Sequence, residues 1–498
     1  MRSWILPLCL VVAFPLSASA GLAGKGKVIL DWWDVAFLEG ARAGYVHTQV
    51  EEVTKDGHIL HLATVELRLT VKRFADTIQL AMDTGTVEMQ TGKVVGTLMR
   101  QVIGKGKDLL IIGIVKDGML HLTEGGSRVL KPAPWNDEVI GLFRQQMIFQ
   151  EKNVKPGDSF SYPSFEPTLN IVLEHKVEVK EEEEVELFGG KTKAKLLRVE
   201  IKPPRVEKVE LASMMVWLKE DRMPVRSQFE VPGLGKVVLY RTTKENALAP
   251  APLAKLPDIG VNQFIRLARP IARPQQASSA LLRVTVKGDS DPASTFARDE
   301  RQSVKNVKGS TFELETKARG ASADEKEPGA EYRESSYFIT SADEKVQELA
   351  RRAVGRETDP WRKAVAIEKW VFRNMKATSY EALASADHVA RTLEGDCTEF
   401  AMLTAAMCRA QGIPSRTAVG LIYADVHAGP IFAFHMWTEV WIDGRWAPLD
   451  ATLGQGGIGA FHLKINDQSW HEARTMTPLF PVLRVLGRLQ IDVLAVRY

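Results

Sequence analysis

Three residues, in this order along the chain, could run acyl chemistry through a thiol: Cys397, His435 and Asp450. A cysteine becomes an efficient nucleophile when a base takes its proton, and the base works best when a third group fixes its tautomer. Cys397 sits in the run Gly-Asp-Cys-Thr-Glu-Phe-Ala from Gly395 to Ala401. Gly395 allows a tight turn. Asp396 followed three residues later by Glu399 has the pattern of a capping box, which predicts a helix starting at about Cys397. The N–H groups and positive dipole end of such a helix favour a thiolate. The two carboxylates of the same turn work against it, so a histidinium partner is required.

The element that must supply this partner is Ile431 to Ile442, which has strand character and turns His435, Trp437, Glu439 and Trp441 to one face. Asp443-Gly444 follows, between two apolar runs, and predicts a two-residue hairpin. That turn pairs Ile442 with Arg445, so the numbers of paired residues share a constant sum. Asp450 then falls opposite Trp437 and becomes the diagonal neighbour of His435, roughly 7–8 Å away by Cβ or less. Pro448 falls opposite Glu439, where its missing N–H costs the hairpin nothing if Ile442–Arg445 is the hydrogen-bonded pair. Base and orienting carboxylate thus come from one hairpin, and the nucleophile from a separate helix start.

Other chemistry-bearing residues carry less. Cys397 and Cys408 lie on one predicted helix, about 16 Å apart along its axis, too far for the roughly 7 Å that a disulfide tolerates; Cys408 reads as a core residue. Cys397, Cys408, His427 and His435 make a poor zinc set for the same reason. His58 and His61 fall on opposite faces of a strand. His462 reads as packing. Gly454 to Gly459 lacks the lysine and following helix of a phosphate loop and reads as a flexible segment near the cleft.

The runs Gly395 to Ala401, Cys408 to Arg416 (Cys-Arg-Ala-Gln-Gly-Ile-Pro-Ser-Arg), His435 to Val440 and Trp446 to Thr452 resemble the transglutaminase-like superfamily, in the order in which that family carries them. The resemblance covers about 345–465. It implies a papain-like thiol fold, with Cys397, His435 and Asp450 as the triad and Trp437 and Trp446 packing around it beside the substrate. No cofactor or metal is expected, and, with no calcium-loop signature in the sequence, neither is calcium dependence. The Cys397 backbone N–H is one expected oxyanion donor, and the second is left open.

The rest of the 498 residues must position this site and exceed what one core can hold. The fold expected is α+β: a C-terminal transglutaminase-like core, with the Cys helix packed on an antiparallel sheet bearing His and Asp, behind a β-rich N-terminal region. The boundaries read as a signal peptide over 1–20, a β-rich domain over 21–247, a proline-rich linker over 248–277, a small β segment over 278–335 and the catalytic domain over 336–498. The β-rich region resembles, in pattern alone, the open half-barrels of bacterial lipoprotein-carrier proteins. One helix is expected within it near Asn136 to Gln150, and others over Val346 to Ala353 and Trp361 to Phe372. The signal reading rests on Arg2, the apolar run Trp4 to Leu16 and the Ala18-Ser19-Ala20 site. It predicts a periplasmic or extracellular protein with no stable membrane insertion.

With 65 basic and 62 acidic residues the net charge is +3, which gives no electrostatic case for nucleic acid. The expected partner is a protein or peptide substrate; the oligomeric state is open. Hydrolysis of peptide or amide bonds is the leading reading. Protein-glutamine amine transfer is the alternative, as is a non-enzymatic envelope binding or assembly role for the β-rich half.

Overall fold

The computed structural model describes residues 26–498 apart from 74–75, 104–107, 191, 207–208, 232–234, 257, 259, 261–263, 319–325, 379–382, 428 and 474–476. The expected signal segment lies outside these residues. Alternation of apolar and polar residues over 27–242 builds one antiparallel sheet of 15 strands. The strand Lys27–Leu38 sits in its middle. On one side the strands follow in chain order from Ala41–Lys55 outward; on the other, Gly235–Thr242 returns to pair with Lys27–Leu38, and the order runs back to Ser159–Glu166. Asp56-Gly57 and Asp117-Gly118 have positive φ at both residues and join Lys55 to His58 and Lys116 to Met119 in register, as type I′ turns do.

The helix expected near Asn136 to Gln150 forms at Leu142–Glu151. Its start is set from outside its own sequence. Leu142 N–H donates to Thr86 Oγ1 at 3.0 Å, Phe143 N–H to Glu88 Oε1 at 2.8 Å and Arg144 N–H to Glu88 Oε2 at 3.3 Å. A sheet strand therefore satisfies the first-turn donors that a local cap would otherwise serve.

The proline-rich stretch over 248–277 is tied to the C-terminal region. Ile265–Arg266 pairs with Phe432 and Ile431, and Ile271 N–H donates to the Tyr423 hydroxyl at 3.0 Å. Beyond it, Gln302–Lys308, Thr311–Lys317 and Ser279–Val286 share a four-stranded sheet with Leu489–Arg497.

In the C-terminal region, helices Glu344–Val354, Pro360–Asn374 and Ala386–Thr392 surround the helix Cys397–Ala410. That helix is buried on every side from Glu399 to Arg409, as expected of a central helix that is apolar all round. It packs on the strand Gly429–Ile442 through Met436 and Val440, and the Thr438 hydroxyl donates to Ala401 O at 3.0 Å. The strand is flanked by Ser415–Val426 and Arg445–Leu449, with His462–Gln468 outside Ser415–Val426. This is the α+β core expected, with the cysteine on a helix and the histidine on an antiparallel sheet.

The N-terminal sheet rests on this core. Met99 and Leu109 belong to the same buried apolar cluster as Phe338, Leu349 and Met402. Among the described residues no helix is long and apolar enough to cross a membrane.

Candidate active site

Cys397 is the first residue of its helix and is partly exposed. The turn before it is closed by the expected capping box. Asp396 Oδ1 accepts from Thr398 N–H at 2.8 Å, and Glu399 Oε2 accepts from Asp396 N–H at 2.9 Å. Glu399 Oε1 also takes Ala384 N–H at 2.9 Å. Burial pushes the Glu399 carboxyl well above its ordinary range, and the neighbouring Asp396 charge adds to this. Gly395 is required here, because a Cβ on it would lie 2.3 Å from Glu399 Cβ.

The hairpin forms in the expected register. Ile442 pairs with Arg445, Glu439 with Pro448 and Thr438 with Leu449, across a turn with positive φ at Asp443 and Gly444. Asp450 follows the last pair. His435 Nε2 lies 2.7 Å from Asp450 Oδ2, and the imidazole also hydrogen bonds to the Cys397 side chain. Since Asp450 occupies Nε2, the nitrogen left for the thiol is Nδ1. Burial alone would push the imidazole down, but the Asp450 carboxylate and the Cys397 contact lift it to about 10. Asp450 is 1% exposed. Burial would raise its carboxyl, yet His435 above all, then His462, holds it far below the usual carboxylate range.

His462 corrects the sequence reading, in which it was packing. Its Nε2 lies 3.0 Å from the same Asp450 Oδ2, while Asp450 Oδ1 accepts from Thr452 N–H at 2.9 Å and Thr452 Oγ1 at 2.6 Å. Burial keeps His462 below the usual histidine value, so it meets Asp450 as a neutral donor. The strand pairing explains its position. Gly420 pairs with His435 on one side and Lys464 on the other, and a Cβ on Gly420 would meet Leu463 O at 1.9 Å. The close approach brings the His462 strand against the site. Nothing near His462 in the sequence marks which strand it will border.

The predicted site residues take different places. Cys397, His435 and Asp450 come together. Trp437 is 1% exposed and packs with Ala418 and Ile458, its ring edge-on to His462 at 5.5 Å; it supports the histidines from beneath. Trp446 lines a cleft of about 660 Å³ together with Trp361, Arg445, Arg301 and the Gln455–Gly459 loop. Arg416 lies over the Trp446 ring at 4.0 Å. The cleft wall also carries Glu439, which accepts from Arg416 Nε at 2.7 Å and Lys464 Nζ at 2.8 Å. Burial would raise that carboxyl; the two cations, Lys464 first, bring it down to about 2. Cys408 is fully buried, and burial pushes its thiol up. Among the described residues the one group that could hold a metal is His435, Asp450 and His462, with ligand atoms within 4.8 Å of one another. Both imidazoles already spend Nε2 on the Asp450 oxygen, so hydrogen bonding accounts for the cluster.

Glu368 was not anticipated. It is fully buried in the helix Pro360–Asn374, takes Gly456 N–H at 3.1 and 2.8 Å, and also accepts from the Asp450 and Gly457 N–H groups. It thereby fixes the glycine-rich loop and the backbone of Asp450. Burial first, and then the Asp450 charge, raise its carboxyl to about 7 from an ordinary 4.5. Between these values the folded protein holds a proton that the unfolded chain releases, so stability falls as pH rises through this window. Glu368→Gln keeps an acceptor for Gly456 and is expected to remove that loss. Melting at pH 5 and pH 8 should show the variant gaining on the wild type by up to about 3 kcal/mol at the higher pH.

No curated protein matches this chain. A candidate cysteine protease from Cytophaga hutchinsonii is 16% identical, with a TM-score of 0.30, over 47% of this chain and 85% of its own. A β-barrel-like protein of a domain of unknown function from Brucella abortus is 11% identical, with a TM-score of 0.32, over 44% of this chain and 98% of its own. Neither likeness is close enough to bear on function. Residues 347–451, the stretch that holds Cys397, His435 and Asp450, match the family model of the Transglutaminase-like superfamily and form a transglutaminase-like domain.

Proposed function

We propose that the chain is an exported thiol enzyme that acts on peptide or carboxamide bonds through an acyl-enzyme on Cys397. The observation that carries this reading is the relay itself: a half-exposed thiol at a capped helix start, bonded to an imidazole whose far nitrogen lies 2.7 Å from a buried carboxylate. Cys397 Sγ attacks the substrate carbonyl carbon, with the oxyanion facing the Cys397 N–H at the helix start. The C–N bond breaks as His435 gives its proton to the departing amine, leaving a thioester. Water, activated by His435, then releases the acid and restores the thiol. Asp450 keeps the Nε2 proton in place throughout. The pattern of residues 1–20 supports export.

The test uses the full chain with casein and a fluorescent primary amine, before and after iodoacetamide. Alkylation is expected at Cys397 and not at the buried Cys408, and it should abolish activity. Casein fragments without dye support hydrolysis. Dye uptake by intact casein would replace water by an amine as acceptor. Equal slow labelling of both cysteines, with no effect on either readout, would remove the enzymatic reading.

A further inference from the structure

The helix start at Cys397 is not built by its own domain alone. Arg73 ends the strand His58–Arg73 of the N-terminal sheet, where it pairs in register with Asp76 at the tip of a long hairpin. Its Nη1 lies 2.6 Å from Asp396 Oδ2, with both side chains largely buried. Asp396 thus divides its oxygens: Oδ1 caps the helix through Thr398 N–H, and Oδ2 faces a cation from the other domain.

We propose that Arg73 is a positioning residue for the Cys397 site, cancelling the Asp396 charge that immediately precedes the nucleophile. This rests on reading Cys397 as the nucleophile. Two carboxylates in the first turn oppose a thiolate by Coulomb repulsion. Glu399 is silenced by burial, which favours its protonated form. Asp396 is less deeply buried and serves as the N-cap, a role suited to an ionised side chain at a helix N-terminus. Its charge must therefore be balanced rather than removed. Arg73 does this, and its guanidinium is held charged, against the cost of burial, by Asp396 first and then Cys397. The cation senses the thiol as well as the carboxylate. Arg73 is also held firmly from behind. The adjacent Lys72 bridges Asp258 through the backbone, and the sheet rests on the helical core through Met99 and Leu109. The N-terminal sheet therefore completes the electrostatics of the thiol rather than merely standing beside it.

The test measures the alkylation rate of Cys397 by iodoacetamide at pH 6 in the full-length protein, with Cys408 as the unreactive reference. Arg73→Gln leaves an unbalanced charge one residue from the sulfur and is expected to slow labelling about tenfold. Arg73→Lys should recover most of the rate. Arg73→Gln with Asp396→Asn removes both charges, keeps a capping oxygen for Thr398, and should also restore it. Asp396→Asn alone leaves the Arg73 cation beside the thiol and should label at least as fast as the wild type, a result that does not depend on Arg73→Gln folding well. A purely structural tether predicts otherwise: either no change in Arg73→Gln, or a loss that the double variant deepens, and both outcomes overturn the proposal. If wild-type Cys397 labels no faster than a free thiol, the nucleophile reading falls and this proposal with it. A fast wild type with an unaffected Arg73→Gln sinks the proposal alone.

Discussion

Cys397→Ala is expected to bring both casein cleavage and amine incorporation down to the reagent background, a loss of about 10⁴-fold or more, while the melting temperature hardly moves. The activity loss is large because nucleophile and base act as a unit: with no sulfur to deprotonate, the rest of the relay has nothing to activate. The stability change is small for local reasons. Cys397 occupies the first position of its helix and is partly exposed, so its removal opens no sealed cavity. Alanine is a good helix former, and the cap from Asp396 to Thr398 N–H is untouched. A change within about 0.5 kcal/mol is expected. Cys408→Ala supplies the contrast. That side chain is fully buried in the helical core, so its truncation should cost measurable stability and leave the chemistry intact. Activity assays paired with thermal melts on the two variants check both halves. Retained turnover in Cys397→Ala would require another nucleophile.

Asp450→Asn should be nearly as damaging to activity, with a loss of about 10³–10⁴-fold, by a different route. The substitution barely changes volume. If the amide keeps its oxygen on Thr452, whose N–H and hydroxyl both donate there, its NH₂ faces the two Nε2 atoms now held by Asp450 Oδ2. His435 then becomes an acceptor at Nε2, and its proton moves to Nδ1, the nitrogen that must take the thiol proton. If the amide turns over, Thr452 loses its acceptor instead, at about 1–3 kcal/mol. The carboxylate that lifts His435 to about 10 is gone in either case. Burial, the largest single influence on the ring, then drives it toward the neutral form. The sign is definite: charge on His435 that persists in the wild type through neutral pH should disappear as pH rises well before 10. Imidazole proton resonances followed against pH would show it, and unchanged titration in the variant would contradict the assignment of Asp450.

How much of the site could be read beforehand follows from the range over which each instruction acts. The Asp443-Gly444 turn fixes its hairpin locally, so the placement of Asp450 beside His435 followed from counting. The capping box at Asp396 and Glu399 is equally local, and the helix begins where those residues put it. His462, Glu368 and Arg73 were illegible for the opposite reason. His462 reaches the site because Gly420 lets two strands close up, and Arg73 arrives from a hairpin tip more than 300 residues away in number. The helix expected near Asn136 to Gln150 ends within a residue of that bound but starts later, at Leu142, because Thr86 and Glu88, on a distant strand, serve as its cap.

The pairing of Ser279–Val286 with Leu489–Arg497 sets an order of events for a chain that emerges from its amino end. Strand Ser279–Val286 keeps one edge open until residue 497 has followed, since residues 279 and 497 are register partners. Until then the strand presents unpaired backbone groups to whatever passes, a template for wrong pairing. Closure of so distant a contact is slow. Clipping the chain near residue 488 should therefore turn a stable fold into a sticky one.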